Sequence, residues 1–150
     1  MPSNERCALC GCALHRTAGS YALPSVQGRS HATKHHCVAE RFFGRSKTRR
    51  GQRERIFETC PWGVEGVTLV FCYECHEELL HNPVFLPKDI ERLARLCRKR
   101  GYGEEVKTDG RDRLAGRIIV LHEVIDAGLS ALEASRGAPS PHERLKVNAE

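Results

Sequence analysis

The sequence predicts a small α+β fold, with a cysteine-bound core containing two short strands and a helical extension after it. Three observations carry this. Two Cys-x-x-Cys pairs, Cys7/Cys10 and Cys72/Cys75, stand far apart in the chain. Two β-branched segments, residues 32–38 and 67–71, lie between them. From residue 87 onward, apolar residues recur at helical spacing.

The chain has 150 residues, enough for one domain with an appended helical piece. With 40% hydrophobic and 29% charged residues it is neither disordered throughout nor membranous. No stretch approaches the roughly 20 apolar residues that span a bilayer. The start, Met1 to Cys7, lacks the apolar run of a secretory signal, which points to the cytoplasm. The net charge of +5 permits a polyanionic partner without demanding one.

Eight cysteines in a cytoplasmic chain do not read as a disulfide framework, because that compartment keeps thiols reduced. Four of them, Cys7, Cys10, Cys72 and Cys75, have ligand spacing and supply soft thiolates suited to a closed, structural zinc site. The 61 residues between the pairs mean that the fold must bring them together. Cys12, Cys37, Cys60 and Cys97 show no such pairing.

In chain order, residues 5–13 form a tight turn in which Gly11 supplies backbone freedom. Residues 15–30, rich in Gly, Ser and Thr, read as loop. Residues 32–38 make a first strand. From Arg41 to Arg55 seven basic residues face only Glu54, which predicts an exposed, mobile loop. Residues 67–71 form the strongest strand signal and run straight into Cys72. Residues 75–81 read as a short helix stopped by Asn82-Pro83. A second helix starts near Pro87 and is ended by Gly101, with Ile90, Leu93, Leu96 and Cys97 on one face. The last helix covers about residues 112–135. Its stripe of Leu114, Ile118, Leu121, Ile125, Leu129 and Leu132 is expected to pack on the face of the preceding helix, or alternatively to form a homodimer seam. Residues 137–150 are expected to be a disordered tail.

The histidines complete a pattern. His35 and His36 are adjacent on the first strand, and His76 and His81 flank the short helix after the second cysteine pair. This order of knuckle, His-His strand, strand, C-x-x-C-H knuckle and helix ending in His resembles the zinc-containing HNH endonucleases over residues 5–83. The resemblance implies a ββα-metal, treble-clef-like module at residues 1–83, with a helical extension at 84–136. It implies DNA as partner and phosphodiester hydrolysis as activity. It further implies His36 as general base, and His35 as ligand to one catalytic divalent ion (Mg²⁺, Mn²⁺, Ni²⁺ or Zn²⁺) beside the structural zinc.

The second ligand is expected from the helix. His76 and His81 are five apart, which on an ideal α-helix separates them by roughly 140°. Both could not then ligate one ion from a regular helix: either His76 sits before the helix proper or only one is used, and His81 is preferred, with His76 second. Next to such a site, Arg41, Arg45, Arg49, Arg50 and Arg53 would track the DNA backbone without reading bases. The sequence departs from the family at the residue that gives it its middle letter: no asparagine lies between His36 and Cys72. A non-catalytic zinc module that binds nucleic acid or protein on the same scaffold is therefore the alternative reading.

Overall fold

The chain is described by a computed structural model over residues 4–16, 28, 30–44, 55–103 and 110–135, excluding the side chains of 110–112. It is α+β. The elements are β1 (Ala32–His36), a 3-10 turn (Glu40–Phe43), β2 (Thr68–Cys72), a π-helix (Glu74–Leu80), α1 (Pro87–Lys99) and α2 (Gly110–Ala134). Tertiary contacts divide the chain into a unit of residues 1–90 and a second of residues 91–150.

In the first unit β1 and β2 pair antiparallel, with Ala32 opposite Cys72, Thr33 opposite Phe71 and His35 opposite Leu69. Residues directly opposite each other share a face, and faces alternate along a strand. Thr33, His35, Leu69 and Phe71 therefore lie on one side, and Ala32, His36, Val70 and Cys72 on the other. The first cysteine turn closes through Cys7 N–H to Cys12 O (2.9 Å) and Gly11 N–H to Cys7 O (2.9 Å), with Gly11 at φ +76°. It is tied to β2 by Ala8 N–H donating to Val70 O at 3.0 Å. The buried cluster beneath it is Cys7, Leu14, Ala32, Phe71, Cys72 and Cys75.

The spacing predicts an α-helix over 75–81, but Glu74–Leu80 wind as a π-helix. The His81 N–H reaches back five residues to His76 O at 3.3 Å. Widening the turn leaves carbonyls at its end, and Asn82 serves them. Its Nδ2 donates to Glu77 O (2.9 Å) and Glu78 O (3.2 Å). Pro83 then blocks continuation.

The stretch from Glu40 to Trp62 has its own small aromatic cluster. Phe57 meets Phe42, Phe43 and Trp62 with ring centroids 5.7 to 6.4 Å apart. Arg55 donates to the carbonyls of Phe57 and Glu58, both at 3.0 Å, so this guanidinium staples the chain locally.

α1 opens with Pro87 in its first turn and with Asp89 Oδ2 accepting the Leu86 N–H at 2.9 Å, half of a capping box. It ends in a Schellman arrangement. Gly101 is at φ +83°, its N–H donates to Arg98 O (3.0 Å), and Tyr102 N–H donates to Cys97 O (2.9 Å).

Within the second unit Arg100 pairs with Glu123, and the Tyr102 ring lies against Gly116. Val120 is 1% exposed. The apolar stripe of α2 is not the buried face expected from its periodicity: Ile125, Leu129 and Leu132 are 49%, 57% and 67% exposed. A 13-residue α1 is about 20 Å long and α2, with 25 residues, about 37 Å, so α1 cannot cover the whole stripe. No helix among the described residues is long and apolar enough to cross a membrane.

Two glycines of α2 make a paired test. A Cβ at Gly116 would drive into the Tyr102 ring, whereas one at Gly128 meets nothing within 4 Å. Gly116→Ala should therefore destabilise by about 1–3 kcal/mol despite its better helix propensity. Gly128→Ala should stabilise by about 0.5–1 kcal/mol. Urea midpoints of the two variants check this, and equal shifts of the same sign would refute the close approach.

Candidate metal centres

Two groups of side chains converge as metal-ligand sets among the described residues. Cys7, Cys10, Cys72 and Cys75 place their sulfurs within 4.8 Å of one another. The Cys10 and Cys72 sulfurs are 3.9 Å apart. Four thiolates at about 2.3 Å from one tetrahedral ion have sulfur–sulfur edges of about 3.8 Å, so the donor set fits such an ion. Cys75 N–H points at Cys72 Sγ (3.4 Å), the amide-to-sulfur contact that orients a thiolate ligand. Burial alone would push the Cys7 thiol up. The backbone amides of Cys10, Cys72 and Leu9 outweigh it and bring the group down to about 6. Cys75, buried and crowded by the neighbouring sulfurs, is pushed upward instead. A thiol set with one member already poised to lose its proton is suited to metal capture.

The second group is His35, His76 and His81, again with one ring nitrogen from each within 4.8 Å of the others. The expectation that the five-residue spacing keeps His76 and His81 apart is overturned. In the π-helix residues five apart close one turn, and the two rings stand 4.5 Å apart between centroids. His35 meets both from β1, at 4.8 Å from His76 and 5.9 Å from His81. Buried Phe71 packs against His35 and His76 and forms the floor. Burial lowers the pKa of His35 and His76, and the neighbouring imidazoles add to the effect while Glu77 opposes it. Neutral imidazoles are the form that binds a metal.

His36 does not join this group. Strand alternation puts it on the other face, where Nε2 lies 3.0 Å from Glu40 Oε1 of the 3-10 turn. The third imidazole of the cluster is thus His76. Of the basic residues, Arg41 is exposed and lies over the Phe42 ring at 5.7 Å. Arg45, Arg49, Arg50 and Arg53 lie outside the described residues, as do positions 45–54 of the expected mobile loop and the tail at 137–150, while residues 41–43 of that loop belong to the 3-10 turn with Phe43 buried.

Three groups support these histidines, and the sequence placed only one of them, Glu77, on a shared face with His81 at four-residue spacing. Thr33 bridges β1 to His76, its Oγ1 2.9 Å from Nδ1. Glu77 faces His81, and Glu40 faces His36. The available signals were Thr33 two residues before His35, and carboxylates four from His36 and four from His81.

The histidine pKa shifts predict a pH dependence. In protein without metal at these histidines, the unfolded chain binds protons on His35 and His76 near the ordinary value of about 6.5, and the folded chain only lower. Folding stability should therefore fall as pH drops through that window and level off beneath the lowered values. The double variant His35→Gln/His76→Gln should flatten this part of the curve in urea titrations. An unchanged slope would contradict the assignment.

Comparison with protein-family models, with curated proteins and with solved structures found no match.

Proposed function

We propose that the chain is a metal-dependent endonuclease of the HNH kind, built on a zinc-bound ββα-metal, treble-clef-like core and hydrolysing DNA phosphodiester bonds. The observation that carries this reading is the convergence of His35, His76 and His81 on one centre, with His36 next in the strand and a four-cysteine group nearby in the same unit. The four thiolates favour zinc in a closed structural role, since no position is left open for chemistry. Three imidazoles leave positions open.

A divalent ion held by His35, His76 and His81 would polarise the scissile phosphate and stabilise the leaving oxygen. The other tasks belong to the chain. To act as general base His36 would have to turn from the opposite face of β1 toward the centre; its contact with the Glu40 carboxylate needs a hydrogen on Nε2, which leaves Nδ1 to take the proton of the attacking water. In the regular register of β1, Glu40 holds that ring on the face opposite the centre. Arg41 and the basic residues that follow it, Arg45, Arg49, Arg50 and Arg53, supply salt-dependent affinity for the DNA backbone.

One observation favours a second reading. Asn82, placed near the histidine centre, spends its amide on the π-helix carbonyls, and no asparagine lies between His36 and Cys72. A zinc module that binds nucleic acid without cutting it would need none. Incubation of supercoiled plasmid with purified protein and Mg²⁺, Mn²⁺, Ni²⁺ or Zn²⁺, with EDTA as control, separates the two. Nicked or linear product abolished by EDTA is expected. DNA retention without cleavage under every ion would leave the binding module.

A further inference from the structure

We propose that Glu77 is a positioning residue for the histidine centre, its carboxylate holding His81 as the Nδ1–H tautomer, as Thr33 holds His76, so that Nε2 of each is the nitrogen left for a metal. This rests on the reading of His35, His76 and His81 as a metal centre. Glu77 Oε2 lies 3.1 Å from His81 Nδ1, and Oε1 lies 3.4 Å from His76 Nδ1. A carboxylate only accepts, so in the hydrogen bond with Glu77 it is His81 Nδ1 that carries the hydrogen, while the longer His76 contact is electrostatic only.

For His76 a second contact requires the same tautomer independently. The Thr33 hydroxyl has one proton and gives it to Phe71 O at 3.0 Å. Its 2.9 Å contact with His76 Nδ1 can then be made only by Nδ1 donating. A neutral imidazole has a single N–H, which leaves the Nε2 lone pair free. The two orienting groups act side by side because the π-turn stacks His81 beside His76, with Glu77 four residues before His81 and Thr33 reaching His76 from β1. Such outer partners typically account for 10–100-fold in metal affinity.

The test uses the full chain with zinc bound at its cysteines. Long-range ¹H–¹⁵N NMR of the histidine rings, before any further metal is added, should show His76 and His81 protonated on Nδ1. This reading needs no variant. Ni²⁺ is then titrated calorimetrically, with His81→Ala identifying binding at the histidine centre. Glu77→Gln should keep its zinc and its circular dichroism, because the Glu77 side chain is 39% exposed and leaves no cavity. It should nevertheless bind Ni²⁺ on the order of 10–100-fold more weakly. In that variant His81 should lose its Nδ1–H preference while His76, still held by Thr33, keeps it. Adding Thr33→Val should release His76 as well.

A wild-type His81 protonated on Nε2, or Glu77→Gln with the Ni²⁺ affinity of the wild type, would overturn the role of Glu77 and leave the metal centre standing. Wild-type protein that takes up no Ni²⁺ sensitive to His81→Ala would overturn the metal centre itself, and the role of Glu77 with it.

Discussion

Cys72→Ser should yield protein that is insoluble or unfolds without a cooperative transition, and stripping the wild type of metal should do the same. Cys72 is the sulfur on which the first unit converges. It ends β2 opposite Ala32, is 4% exposed, accepts the Cys75 amide and faces Cys10 across 3.9 Å. The apolar cluster around it is thin. Leu14 and Phe71 are its large members, and three of its six residues are cysteines. Burying one large apolar side chain contributes about 1.5–3 kcal/mol, while fixing each residue's backbone costs about 1–2 kcal/mol. Such a core does not hold a unit of residues 1–90 together by burial alone.

Zinc binding at zinc-finger-type thiolate sites is worth about 10–16 kcal/mol, and here the site exists only when residues 7–10 and 72–75 have met. Metal binding is therefore part of the folding free energy. Thermal scans and zinc content of wild type, Cys72→Ser and chelated wild type measure it. Full thermal stability in a zinc-free preparation would refute it.

The second large effect is on cleavage. His36→Ala should lower the rate on the order of 10²–10⁴-fold, the range for losing a general base. Fold, zinc content and DNA binding should be unchanged. The His36 side chain is 35% exposed and touches Glu40 rather than the core, so its removal leaves little void. On the proposed reading, thiolates hold the scaffold, basic side chains hold the DNA backbone, and His36 takes the proton. His35→Ala and His81→Ala should fail differently, by losing the divalent ion, so raising Mg²⁺ or Mn²⁺ should partly restore them. Excess ion should not restore His36→Ala. Plasmid assays across a metal series read both patterns. Cleavage by His36→Ala at the wild-type rate would sink the base assignment, and a wild type inactive with every ion would sink the nuclease reading.

The cysteine group was legible in the sequence because ligand spacing is local. Each pair is made by one turn, and Cys-x-x-Cys is readable without knowing the partner. The α+β class and the end of α1 at Gly101 were legible for the same reason, since strand alternation, helical period and a left-handed glycine cap are short-range properties. The burial of α2 was not legible. A stripe records which residues share a face, and α1 is too short to cover all of it.

The histidine centre divides the same way. His35, His76 and His81 could be singled out by type and order, but the α-helical period set His76 and His81 on different sides. Only the folded chain decided otherwise. Pairing of β1 with β2 sets His35 beside the turn that follows Cys72, and Asn82 satisfies the carbonyls of a widened π-turn, so five residues close one turn. Which partner each imidazole takes was settled there too: Thr33 and Glu77 for His76, Glu77 for His81, and Glu40 for His36. The Thr33 contact depends on strand register, which no spacing rule carries, whereas Glu77 and His81 already stood four apart on one helix face.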